Sequence, residues 1–354
     1  MKNKKGIPFF LLFAVLITIV YIALAAKPLT EEFQFTPIWK INISAPITQT
    51  VEKDKKKLAF HLGQSVGYFS EDGEITLLKS FPAKADISDY YFAIYNSGAK
   101  NTEFFNNNGE IAGYIKAEGF PYFAEQIIYV FLPGGCSFSK CTQTGDIQWT
   151  YEGTIPITAF AANDNHTAAG FADGTIKVLN NADGQTEVNF APGGSDYPVI
   201  LGLDISPDGK YVASISGHKK QRFVLSRREG NQQKIIYHKF FENDLPYRTI
   251  VRFCKDSRRI LYNFPQGLDI YDIEDKKSKF IGIKDKIISV KETDDMIFLL
   301  SKEKKKYTVS LVDSTNTLEG SFSFTAESAF INTYDNNLYV GRDNSISRIK
   351  VSKE

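Results

Sequence analysis

Sulfur and imidazole are scarce in this chain, which has three Cys, two Met and four His among 354 residues. Three cysteines cannot build the disulfide framework that staples small secreted domains. Cys136 and Cys141 share one segment, "CSFSKC", which the repeat pattern described below makes a strand. Five strand steps of about 3.3 Å separate them by roughly 16 Å, whereas a disulfide needs Cα atoms within about 7 Å. Both are expected as free thiols unless Gly134 and Gly135 break the strand, and Cys254, just before a turn, as a buried free thiol. His61, His166, His218 and His238 are scattered, with no pair at metal-ligand spacing to another His or Cys, so no metal is expected.

Charge imbalance is missing too. Lys and Arg number 42 against 41 Asp and Glu, a net charge of +1, which gives no global pull toward nucleic acid. No G-x-S-x-G elbow, Walker loop or H-E-x-x-H helix occurs, so no residue is assigned to catalysis or to a cofactor. Beyond residue 30 no segment shows a capped apolar period of 3.6 residues, which predicts few helices.

Aromatic residues, by contrast, are plentiful: 28 Phe and 18 Tyr suit pleated, half-buried surfaces. The N-terminus stands apart. A basic tail at 1–6, "MKNKKG", precedes the uncharged run "IPFFLLFAVLITIVYIALAA" at 7–26, long enough to span a hydrocarbon core. Lys2, Lys4 and Lys5 lie before it and Lys27, Glu31 and Glu32 after it, a bias that keeps the tail cytoplasmic and exports the rest. A transmembrane signal-anchor helix is expected at 7–26, followed by a linker at 27–35. A cleaved signal peptide with its site near Ala23-Leu24-Ala25 is the alternative.

The remainder repeats. "FHLGQSVGYFSEDGEITLL" (60–78) and "FLPGGCSFSKCTQTGDIQW" (131–149) share the order strand, turn, strand, turn with Gly, strand. So do segments 90–115, 168–190, 210–237, 259–283 and 296–324, while 337–351 stops one strand short. The units begin near residues 58, 91, 128, 167, 211, 260, 297 and 338, a spacing of propeller blades with four short strands each. An all-β propeller spanning 36–354 is predicted, with eight blades the better count and seven the alternative. The last unit lacks a fourth strand, and "TPIWKINIS" (36–44) looks like a fourth strand with no first three. Joining them closes the ring and removes two free sheet edges. Trp39 then takes the place that Trp149 holds in its own unit, and both are expected to pack between blades. Gly145, and Asp208-Gly209 in "SPDGKYVAS", mark tight turns that need φ > 0.

"TGDIQW" (144–149) resembles the tryptophan-docking repeat of pyrroloquinoline-quinone-like propellers, and "SPDGKYVAS" and "IYDIEDKK" resemble WD-repeat blades, with Tyr271-Asp272 at the Trp-Asp place. Among exported relatives the chain is similar to the propeller scaffold of the outer-membrane barrel-assembly machinery, though it has no Cys to carry a lipid near the N-terminus. The resemblance implies a bacterial envelope protein on the extracytoplasmic side of the cytoplasmic membrane, acting through protein partners and not nucleic acid. Fold does not fix function, and a propeller enzyme or ligand sensor with a site in the central channel is the alternative.

Two stretches between units carry exposed-looking aromatics. "EGFPYFAEQ" (118–126) holds Phe120, Tyr122 and Phe123, and "FFENDLPYR" (240–248) holds Phe240, Phe241 and Tyr247. Read as inter-blade connections, they are candidate partner-binding residues; packing between blades is the competing account. The acidic turn residues Asp72, Asp173, Asp183 and Asp208 are explained by local turn chemistry.

Overall fold

The computed structural model describes residues 9–25, 33–44, 55–230 and 232–353. Eight β-sheets form the blades of a propeller. Blade one comprises β2 (Lys57–Leu62), β3 (Ser65–Ser70) and β4 (Ile75–Ser80); blade two, β5 (Lys84–Ile87), β6 (Tyr91–Tyr95), β7 (Thr102–Asn106) and β8 (Ile111–Ile115). Blade three runs through β9 (Phe120–Ala124), β10 (Ile127–Phe131), β11 (Phe138–Cys141) and β12 (Ile147–Tyr151). Blade four holds β13 (Ile157–Ala162), β14 (His166–Phe171), β15 (Ile176–Asn180) and β16 (Thr186–Phe190). Blade five holds β17 (Tyr197–Ile205), β18 (Tyr211–His218), β19 (Arg222–Glu229) and β20 (Gln232–Phe240). Blade six holds β21 (Val251–Phe253), β22 (Arg259–Phe264), β23 (Gly267–Asp272) and β24 (Lys277–Gly282); blade seven, β25 (Lys286–Glu292), β26 (Met296–Glu303), β27 (Lys306–Asp313) and β28 (Leu318–Thr325).

Blade eight is made from both ends of the chain. β29 (Ala329–Tyr334), β30 (Asn337–Arg342) and β31 (Ser345–Lys353) are completed by β1 (Phe33–Asn42), which pairs antiparallel with β31 from Phe33–Lys353 to Asn42–Ser345. The closing strand begins three residues before the position expected from the sequence and ends two before it, so residues 33–35 are strand rather than linker. Phe33 and Phe35 set its start, because they pack on the core shared with blade seven.

The core lies between blades. Phe223 of β19 and Tyr262 of β22 stack with centroids 3.7 Å apart, joining blades five and six in one apolar cluster. Each blade's second and third strands alternate so that both faces are covered by neighbours; β26 and β27 are buried almost throughout. Outer strands such as β20 and β28 alternate exposed with half-buried residues, since one face meets water.

Blade one has three strands among the described residues. Lys56, just ahead of β2, pairs with Asp89, just beyond the end of β5. β2 therefore starts where the innermost strand of blade two finishes, and it runs opposite to β5. That is the direction of a second strand.

The repeat units read from the sequence begin on second strands. In blades two to eight the innermost strand falls in the gap between units. "EGFPYFAEQ" is thus no connection: Phe120, Tyr122 and Phe123 lie on β9, the innermost strand of blade three. "FFENDLPYR" does connect β20 to β21, with Phe240 closing β20.

Ahead of the propeller, α1 (Phe9–Ala25) is a 17-residue helix whose described side chains are exposed, including Phe10, Leu16, Ile19 and Tyr21. Among the described residues no helix is long and apolar enough to cross a membrane. Residues 1–8 and 26–32, which include both ends of the expected anchor, lie outside the described ones.

Candidate functional site

The innermost strands converge on a central channel, and one polar contact recurs there. Asp204 on β17 accepts the N–H of Ile205 at 2.9 Å and, across the blade boundary, the N–H of Phe253 on β21 at 2.7 Å. Asp86 on β5 does the same for blade three, accepting the N–H of Phe123 at 2.7 Å. Asn332 on β29 accepts from Thr333 at 2.9 Å, but its amide donates to the carbonyl of Ala59 on β2 at 3.3 Å. Blade one presents a carbonyl at this place, and an amide can meet it where a carboxylate could not.

These carboxyls are half-buried in the channel wall. Burial pushes Asp86 up to about 6 and Asp204 up to about 6, with the backbone N–H bonds pulling the other way. Lys291 on β25 is lowered, first by burial and then by the like charge of Arg252, with Asp89 and Glu125 opposing. No ion pair or hydrogen bond engages its ammonium among the described residues. Arg252 on β21 donates to the carbonyl of Val290 at 2.9 Å, tying blade six to blade seven.

Two cavities open on this axis. One of about 370 Å³ is lined by Tyr122, Phe160, Asp204, Arg252 and Ser289 among others. The other, about 250 Å³, takes in His61, Asp89, Glu125, Lys291 and Asn332. His61 of β2 reaches the second cavity, and burial lowers its pKa. Sequence reading placed none of Asp86, Asp204, Arg252 or Lys291 in a site. The signal was present as "ADISD" and "LDISPD", each with Asp-Ile-Ser at the end of an inner strand, but the groups these aspartates meet belong to the next blade and no local pattern shows them.

The aromatic candidates separate. Phe123 is buried against Tyr91 and Phe104, and Phe241 against Tyr262 and Phe264. Phe120 is exposed with the Lys84 ammonium 4.4 Å from its ring, and Phe240 is exposed beside Arg222. Tyr247 is half-buried under Lys286, 4.3 Å from its ring centre. Tyr122 lines one of the channel cavities and Phe123 the other. The six do not form one patch.

Trp149 on β12 is buried and donates from its indole N–H to the Asn181 carbonyl of blade four at 2.9 Å. A Cβ on Gly184 would come within 2.7 Å of its ring, so the residue under the indole must be glycine, at φ +73. Trp39 on β1 repeats the contact on blade one, donating to the Glu71 carbonyl at 3.2 Å above Gly73, at φ +89. Gly145, at φ +92, presses on the Tyr114 backbone of blade two. Asp208 accepts from Ser206 at 2.5 Å and from the Lys210 N–H at 3.0 Å, while Gly209 lies against the His166 ring.

The three cysteines are free thiols; Cys136 sits in the loop ahead of β11 and Cys141 at the strand's end. Among the described residues no group of three His, Cys, Asp or Glu could hold a metal ion. A polar contact the sequence did not disclose joins blades five and six. Asp269, wholly buried on β23, accepts from Lys239 of β20 at 2.5 Å and from Tyr262 at 2.8 Å.

A closed ring of eight blades, with a tryptophan over a glycine at the junctions of blades three and four and of blades eight and one, defines a β-propeller. A family model described as beta-propeller protein matches residues 1–353, and the chain belongs to that family. It is 26% identical to an uncharacterized protein of Treponema pallidum (strain Nichols), over 99% of this chain and 95% of that one. Its fold is similar to that of BamB from Moraxella catarrhalis, with a TM-score of 0.60 and 10% identity, covering 90% of this chain and all of that chain. It is also similar to the computationally designed Ika8 protein, with a TM-score of 0.58 and 15% identity, covering 84% of this chain and 98% of that one.

Proposed function

We propose that this propeller is a membrane-tethered scaffold that works by binding protein partners outside the cytoplasm, in assembly of a bacterial envelope, and that it is not an enzyme. The apolar N-terminal segment carries this reading. The described part of α1 exposes Phe10, Phe13, Leu16, Ile17, Ile19, Val20 and Tyr21, a surface that water disfavours and a bilayer accepts. The sequence run at 7–26 extends beyond the helix described, and the basic tail before it sets the orientation. Seven residues separate the end of α1 at 25 from the start of β1 at 33, so such an anchor would hold the closing blade near the bilayer. The fold-level likeness to BamB supports a scaffold.

Carbonate extraction of native membranes tests the tether, and crosslinking in those membranes followed by mass spectrometry tests the partner. Recovery of the intact chain in the pellet with a crosslinked protein is the expected result. A soluble mature chain starting at Ala26 would establish cleavage and overturn the tether.

A second reading, a ligand-binding channel, is favoured by one observation. Asp204 and Lys291 line the two channel cavities from blades five and seven, and both have shifted ionisation. Such groups mark sites when they line a cavity.

A further inference from the structure

The channel has an aromatic mouth. Tyr122 of β9, Phe131 of β10 and Phe160 of β13 meet at the end where the innermost strands begin. Phe131 and Phe160 lie 4.9 Å apart at 74°, Tyr122 and Phe160 5.6 Å apart at 90°, and Tyr122 and Phe131 5.9 Å apart at 65°. With Ile157 and Arg248 they line a cavity of about 280 Å³. All three rings stay half-exposed, although Tyr129 and Phe138 pack behind Phe160 and fix it. The rim is held by the Ile157 N–H donating to the Gly135 carbonyl at 2.9 Å. A Cβ on Gly135 would meet nothing within 4 Å, so the entrance is open there.

Arg248 is the charged group of this cavity. It is exposed, and among the described residues no ion pair or hydrogen bond engages its guanidinium. The Tyr122 ring belongs both to this cavity and to the larger channel cavity below, where Asp204 lies. The inner cavity sets Asp204 against Arg252, so its charges offset, whereas the mouth offers the free cation Arg248 with no acidic residue in its lining; an anion is therefore favoured at the mouth. An edge-to-face cup suits one flat ring or one branched apolar chain, and a guanidinium fork suits a carboxylate.

We propose that this mouth binds a carboxylate carrying one aromatic or branched apolar group, with the group in the Tyr122–Phe131–Phe160 cup and the carboxylate on Arg248. The inference rests on the ligand-channel reading and is independent of the membrane tether. The same chemistry is offered by a free aromatic acid and by the C-terminal residue of a peptide.

The test uses the full-length chain in detergent, titrated calorimetrically with N-acetyl-phenylalanine and with its amide. The acid is expected to bind about ten-fold tighter than the amide, the scale of one charge-assisted pair. R248Q is expected to bring the two together while leaving the melting temperature unchanged, and Phe160→Leu to weaken both by about five-fold or more. An N-acetylated tetrapeptide ending in Phe-COOH separates the sources: tighter binding than the single residue assigns the site to chain ends, equal or weaker binding to a small acid. Equal binding of acid and amide by the native chain, retention of the preference in R248Q, or no heat from either probe at about 10 mM would overturn the proposal. None of these results depends on whether the chain is tethered or has a protein partner.

Discussion

The indole N–H of Trp39 donates to the carbonyl of Glu71, and so the strand nearest the N-terminus grips blade one while completing blade eight. Trp39 also packs on Phe69 of blade one and Tyr339 of blade eight, at 6.4 and 5.9 Å. Trp39→Ala should therefore loosen both the sheet edge and the blade contact. A fully buried Trp costs about 3–5 kcal/mol when truncated; Trp39 is half-buried, so about 2–3 kcal/mol is expected, with Trp149→Ala at the upper figure. Deleting residues 33–42 should cost more than either substitution, because it exposes the whole edge of β31. Urea midpoints of the four proteins check the order. Equal midpoints for the intact and deleted chains would show that β1 does not close the ring.

Asp86 and Asp204, each accepting a backbone N–H of the next blade, predict an unusual pH dependence. Asp86 and Asp204 titrate near 6 in the fold and near 3.8 once unfolded. Between about pH 4 and 6 the folded chain holds protons that the unfolded chain has released, so raising the pH across this window lowers stability. Asp146, Glu187, Glu229 and Asp256 are shifted down, chiefly by their hydrogen-bonded Lys, Asn and Arg partners acting against burial. Their contribution is present above the ordinary carboxylate range and is lost as pH falls below about 4. His61, lowered by burial, works the other way below the ordinary imidazole range. One imidazole opposes two carboxyls, so the melting temperature should peak near pH 4–5 and fall by a few degrees toward pH 7. In D86N/D204N the fall should disappear, even if the variant is less stable at every pH. A native profile that rises steadily from pH 4.5 to 7 would contradict the assignment.

The fold was legible in the sequence because three of every four strands repeat with turn residues at fixed places. Gly73, Gly145, Gly174 and Gly184 all adopt positive φ, so backbone necessity wrote the blade pattern into the sequence. Trp39 and Trp149 were legible for a related reason: an indole over a glycine leaves two unusual residues at matching positions. The channel was not legible. Its strands range from three residues, Val251–Phe253, to nine, Tyr197–Ile205, so no fixed repeat marks them, and their polar residues bond backbone groups of the next blade. Asp204 and Phe253 are 49 positions apart, a relation that no local pattern carries. Asp269 was hidden likewise, since its partner Lys239 belongs to the preceding blade.

Lys239 and Asp269 give the sharpest contrast between buried and surface ion pairs. Asp269 is wholly buried and one of its oxygens has no partner, so its charge depends on Lys239 and Tyr262. Lys239→Met would leave the carboxylate uncompensated, a loss of about 3–5 kcal/mol. Lys116→Met, which breaks a largely exposed pair with Asp146 at 3.2 Å, should leave the urea midpoint almost unmoved, because water and salt screen that pair. Lys239→Met combined with Asp269→Leu should recover much of the loss, because both charges are then gone. A double variant no more stable than Lys239→Met alone would show that the pair acts through packing and not through charge.

The thiols should separate by reactivity. Burial pushes Cys141 up to about 11 and raises Cys254 further, where Glu292 adds to the effect. Little thiolate exists on either at pH 8, and their sulfurs are shielded by neighbouring blades. Cys136 is half-exposed in a loop whose glycines Gly134 and Gly135 leave open space. Iodoacetamide at pH 8 should therefore label one site quickly in the folded chain, and peptide mapping should place it at Cys136. Labelling at Cys141 and Cys254 should track unfolding, appearing across the urea transition. Without reductant, denatured protein should take up label at all three positions. A Cys136–Cys141 linked peptide from that sample would mean that the backbone at "CSFSKC" bends far enough to bring the two together, and the β10–β11 register would have to be redrawn.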